Sequence, residues 1–147
     1  MKAIREYDRN RRRYDLAVDT YERLLIRKEE LFQRTQPQAI EIKPDLITGG
    51  SPGNPLEDYV IRTAEIDQKL AGAASLIESR KYLLSISESR LRASCGLYDR
   101  IYVARYLDGR SVGWISRNVN YSERQVYRVL RLIARNLERC QDMSVRT

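Results

Sequence analysis

The sequence predicts an all-α protein in which a long antiparallel helical hairpin is followed by a C-terminal three-helix helix-turn-helix. Residues 2–34 and 57–94 each repeat apolar side chains at alternating spacings of three and four, the pattern of a helix with one sticky face. Between them lies a stretch that holds all four prolines and a run of glycines, which breaks the helix and lets the chain reverse. The last third changes style and falls into three shorter amphipathic runs separated by small polar turns.

The first element, residues 1–34, has its seam at Ile4, Tyr7, Arg11, Tyr14, Val18, Tyr21, Leu25, Lys28 and Phe32. At 1.5 Å per residue it is about 50 Å long, too long for a small globular body to cover, so it needs another long helix beside it. Residues 57–94 supply that partner through Tyr59, Thr63, Ile66, Leu70, Ala73, Ile77, Arg80, Leu84, Ser87 and Leu91, with Gly72 as the single interruption. The linker, residues 35–56, is longer than compact domains normally use and is expected to be flexible. Polar seam positions weaken a strict two-stranded coil. Two roles stay open for the hairpin: self-association into a homodimer, or a rigid spacer packed on its own C-terminal unit.

The C-terminal unit is placed at residues 97–139. Its first helix holds Tyr98, Ile101, Tyr102, Ala104, Arg105 and Tyr106 and stops at Leu107-Asp108-Gly109. Ser111 caps a second, short helix with Val112, Ile115 and Val119 on one face, and Asn120-Tyr121 forms the next turn. Ser122 and Gln125 then make a capping box, which starts the third helix near Glu123. At about 100° per residue, Val126, Val129, Leu130, Ile133 and Leu137 share one side of that helix, and Arg124, Arg128, Arg131 and Arg135 form a stripe on the other. The stripe covers about 16 Å of helix, a length that suits insertion into the major groove of a duplex.

Composition narrows the chemistry. Lys and Arg number 27 against 20 Asp and Glu, a formal charge of +7, and 22 of the 27 are arginine, the side chain suited to forked contacts with phosphate and guanine. Residues 97–139 hold nine arginines against Asp99, Asp108, Glu123 and Glu138, a net of +5 and most of the total. The chain has no histidine, so the commonest general base is missing, and the glycine-rich stretch 49–53 lacks the Gly-Lys-Ser/Thr ending of a phosphate-cradling loop. An enzyme, a cofactor and a metal are therefore not expected. Cys95 and Cys140 have no ligand-spaced neighbours and are expected to be buried, reduced thiols. No stretch approaches the roughly 20 apolar residues of a membrane span, and no signal-peptide core follows the charged N-terminus, so a cytoplasmic protein without a membrane partner is expected.

The run Arg105-Tyr106-Leu107-Asp108-Gly109-Arg110-Ser111, then Ile115, then Tyr121 to Arg128, resembles the region 4 helix-turn-helix of bacterial sigma factors, above all the form found in phage late-gene regulators of the ArpU and RinA type. Those regulators join a long helix, a Gly/Ser-rich connection and a second long helix to such a motif. The resemblance implies a sequence-specific, double-stranded DNA-binding transcription regulator, a phage or prophage late-gene activator at a promoter in a bacterial host cell, with RNA polymerase as a further partner. Where the sigma-like pattern has Glu-Ile-Ala, this chain has Trp114-Ile115-Ser116, so the polar contacts of that helix do not carry over. Trp114 is expected against the first helix of the motif more than on DNA. Two alternatives remain: a phage small terminase subunit bound to packaging-site DNA, which forms a ring, and an adaptor that binds sigma factor or RNA polymerase only.

Under the DNA-binding reading, Arg124, Arg128 and Gln125 reach base edges, while Ser122, Tyr127, Arg131 and Arg135 hold phosphates. A second cluster, Arg5, Arg9, Arg11, Arg12 and Arg13, is brought by an antiparallel hairpin towards Arg90, Arg92 and the DNA-binding end. There it either extends the phosphate contacts or is a solvated helix end.

Overall fold

The computed structural model describes residues 1–35 and 55–145, so nearly all of the 35–56 linker lies outside the described residues. The protein is all-α. Its elements are α1 (Lys2–Thr35), α2 (Pro55–Ala93), α3 (Leu97–Tyr102), a π-helical turn (Val103–Leu107), α4 (Val112–Val119) and α5 (Glu123–Val145). No strand occurs among the described residues, and no helix of these is long and apolar enough to cross a membrane. The chain forms two compact units, one of residues 15–79 and one that joins residues 1–14 to residues 80–147.

In the unit of residues 15–79, the α2 positions expected at the seam are all withdrawn from solvent, with Ile66 and Leu70 buried. The α1 seam differs from expectation. Leu25 and Phe32 are exposed, whereas Ala17 is buried and Leu24 and Leu31 are half-buried. Two heptad rows share Tyr14, Tyr21 and Lys28, and the row that includes Ala17 lets the helices approach more closely at that point. It also leaves the Arg11 head group exposed, so the charge keeps its hydration. Lys28 Nζ donates to Asp67 Oδ1 at 2.6 Å, and that carboxylate raises the ammonium above the ordinary lysine range. Thr63 Oγ1 is buried in this unit with no hydrogen-bond partner among the described residues.

The second unit has one continuous core. Ile4 and Tyr7 of α1 and Leu91 of α2 pack with Ile101, Tyr102, Val112, Ile115, Val126, Val129 and Ile133. A tripod of about 40 residues buries too little surface to hold itself together, so the ends of the two long helices complete it. The Tyr7 ring meets the edge of Tyr102 at a centroid distance of 6.3 Å. Arg90 Nη1 bridges to Glu6 Oε1 at 2.8 Å and Asn10 Nδ2 donates to Leu83 O at 3.5 Å, so the start of α1 and the end of α2 lie side by side and antiparallel. Arg92 joins Glu88 and Asp108, both at 2.9 Å, and these two carboxylates raise its already high pKa. Asp99 is a buried carboxylate, and it is satisfied: Oδ2 accepts from Ser94 Oγ at 2.6 Å and Oδ1 from the Met1 amino group at 3.1 Å.

Both cysteines depart from the expectation of burial. Cys95 and Cys140 are exposed free thiols. The first lies in the connection between α2 and α3, and the second sits on α5 beyond the last core residue, so neither position has packing partners on all sides.

Candidate nucleic-acid interface

The tripod is built from local signals that act as expected. After α3 the chain loosens into the π-helical turn, where Asp108 N donates to Val103 O at 3.0 Å, and Gly109 then adopts φ +65°, a left-handed geometry that disfavours any side chain with a Cβ. Ser111 caps α4 by accepting from Trp114 N at 3.2 Å. Asn120 closes α4 in the left-handed region at φ 54° and ψ 38°, a place where asparagine is tolerated better than most residues. Ser122 N donates to Gln125 Oε1 at 2.8 Å and Gln125 N to Ser122 Oγ at 3.3 Å, the reciprocal bonds of a capping box.

Close approach fixes how α4 meets α5. Ile115 and Val126 are fully buried, one from each helix. A Cβ added to Gly113 would stand 3.1 Å from Glu123 Oε1, so the first turn of α4 lies directly against the start of α5. With Val126, Val129 and Ile133 turned into the core, the helical period forces the opposite face of α5 outward.

That face carries the arginine stripe. Arg124, Arg128, Arg131 and Arg135 are all exposed and line one open groove together with Tyr127, Glu123 and Leu132. None of the four forms an ion pair among the described residues. Four guanidinium groups in one row, against the single carboxylate of Glu123 in the same groove, attract polyanions, and each can fork onto a phosphate or onto the acceptor pair of guanine. Tyr127 adds a half-exposed ring beside them.

Ser122 and Gln125 are placed differently. The Gln125 amide oxygen accepts from both Ser122 N and Ser122 Oγ, the latter at 3.0 Å, and neither residue lines the groove. Ser122 Oγ and the Gln125 amide oxygen are engaged in starting the helix. Two groove residues had escaped the sequence reading: Glu123, which stands at the favourable positive end of the helix dipole, and Leu132, which falls two turns past Arg124 on the same side. The spacing of Leu132 is a usable signal; the sequence reads Glu123 as the start of the helix and as charge.

Trp114 sits beside the first helix of the tripod, lining a groove with Val103 and Ala104, yet keeps 39 % of its surface. The Arg110 guanidinium lies 5.0 Å from its ring centroid and covers one face. Arg105 Nη1 donates to the Arg110 carbonyl at 3.1 Å and steadies the turn that carries it.

No family model matches this chain, and neither does any curated protein or solved structure compared with it.

Proposed function

We propose that the protein is a sequence-specific DNA-binding transcription regulator that presents α5 to the major groove. The observation that carries this reading is the row of four exposed arginines without ion-pair partners, on the third helix of a tripod whose caps and core hold that row outward. Arg124 and Arg128, nearest the start of α5, are assigned to base edges. Arg131, Arg135 and Tyr127 are assigned to backbone phosphates. Ser122 and Gln125 act indirectly, by fixing where α5 begins.

The resemblance to phage late-gene regulators extends the proposal to activation at a phage or prophage promoter, with RNA polymerase as a second partner. Self-association through the long-helix unit belongs to the same proposal. It is supported by the exposed Leu25 and Phe32, seven residues apart on one face of α1, which a second copy is suited to cover.

The test is nuclease footprinting by purified full-length protein on host DNA fragments chosen by genomic immunoprecipitation. A discrete protected site with no other protein present supports the regulator. Protection that appears only after polymerase or sigma factor is added refutes direct binding and makes the protein an adaptor. Light scattering on the same sample separates a monomer or dimer from the ring of a packaging subunit.

A further inference from the structure

A second basic groove occurs in the unit of residues 1–14 and 80–147. Arg5, Arg9, Arg12 and Arg13 project from α1 at spacings that place them on one face, and they meet Leu137, Cys140 and Gln141 of α5 across an open groove. Arg5 Nη2 reaches Asn136 Oδ1 at 3.4 Å and ties the two helices together. Asp8 is the one acid in the lining, and Arg12 is occupied with it at 2.8 Å. Arg9 and Arg13 are exposed and have no ion-pair partner among the described residues.

The direction of this groove decides what it can hold. At about 100° per residue, the four arginines of the α5 stripe fall within about 60° of one another, whereas Leu137, Cys140 and Gln141 lie about 110–150° round from the centre of the stripe. A straight duplex seated on the stripe does not reach there. Leu137, half-buried, also lines the groove and offers an apolar contact that a phosphate backbone has no group to use, while an amphipathic peptide does.

We propose that the groove between α1 and α5 is a docking site for an acidic protein segment carrying an apolar anchor residue. The inference rests on the DNA reading only for what occupies the other side of α5: duplex and partner then sit back to back on one helix, which is how a DNA-bound regulator holds a second protein without giving up its site. Charge complementarity selects the partner, and Leu137 receives the anchor.

The test uses full-length protein with Cys95→Ser, which leaves Cys140 as the sole thiol, placed in the groove itself. The probe is a fluorescein-labelled synthetic helix-forming peptide of glutamates with leucine at every third or fourth position, at about 150 mM salt so that distant charges are screened beyond about 8 Å. Bound peptide is expected to slow alkylation of Cys140, and a saturating duplex is expected to leave it unchanged. Arg9→Ala with Arg13→Ala should weaken the peptide by about fivefold or more and DNA by less than about twofold. Arg128→Ala with Arg131→Ala should do the reverse. Both pairs are exposed helical sites where alanine is well tolerated, and circular dichroism checks the fold.

Protection of Cys140 by duplex, or equal losses of peptide and DNA binding in the Arg9/Arg13 variant, overturns the proposal and makes the groove part of the nucleic-acid surface. Failure of the peptide to protect Cys140 also overturns it. If the wild-type chain binds no DNA while peptide protection persists, the regulator reading fails and the groove assignment stands.

Discussion

Replacing both Arg131 and Arg135 with alanine removes two of the four charges in the α5 row without touching the core. Each guanidinium that neutralises a phosphate releases counterions, and contributes about 0.9 to the slope of log affinity against log salt on B-form DNA. If both residues hold phosphates, the slope becomes shallower by about 1.8. Over a rise from about 50 to about 200 mM salt, the wild type then loses roughly 12-fold more affinity than the variant. The assay is fluorescence anisotropy on a random-sequence duplex, since phosphate contacts do not depend on the bases. The two side chains are exposed and have no ion-pair partners among the described residues, so stability should change by less than about 0.5 kcal/mol, which a thermal melt verifies. A variant that folds normally and keeps the full salt slope refutes the phosphate assignment, whatever its affinity at one salt concentration.

Four further predictions concern the architecture. Ile4→Ala should destabilise the unit that contains the tripod by about 2–5 kcal/mol in denaturant melts, because Ile4 is fully buried in that core although it lies about 90 residues before α3. Ser122→Ala should cost about 0.5–2 kcal/mol of stability through loss of the cap, with the DNA salt slope intact; a fall in the slope instead would give Ser122 a phosphate of its own. Thr63→Val should raise stability by about 1 kcal/mol, since it removes a buried hydroxyl that has no partner among the described residues and keeps the shape of the side chain. Burial, reinforced by the nearby Asp8, pushes the Tyr102 phenol from 10.0 up to about 12. Its folded pKa is raised, so its contribution is complete below about pH 10 and is lost as pH climbs to about 12. The loss of roughly 2–3 kcal/mol should be absent in Tyr102→Phe, as unfolding curves at several alkaline pH values will report.

Much of this molecule was legible one residue at a time. The capping box at Ser122 and Gln125, the cap at Ser111 and the turn at Asn120 are local hydrogen-bond and dihedral effects, and each acts within a few residues of where the sequence displays it. The outward row of arginines follows in the same way, because a helix whose Val126, Val129 and Ile133 are buried must turn the residues between them to the other side. What local signals left undecided was every choice between near-equal alternatives. Gln125 serves two readings, base contact and cap, and the structure shows the cap bond made by its oxygen. The α1 seam had two rows sharing the same tyrosines, and packing chose the one containing Ala17.

The sequence by itself determined the all-α class, the starts of α4 and α5 and the charge on α5, since periodicity, caps and composition act locally. Only the tertiary structure decided that residues 97–139 do not close a core alone. Leu91 helps complete it from just before α3, and Ile4 and Tyr7 do so across most of the chain length, a contact that no local pattern encodes. Tertiary structure likewise set Arg5, Arg9, Arg12 and Arg13 against the far end of α5, away from the stripe, because the direction of a helix face is fixed by what packs behind it.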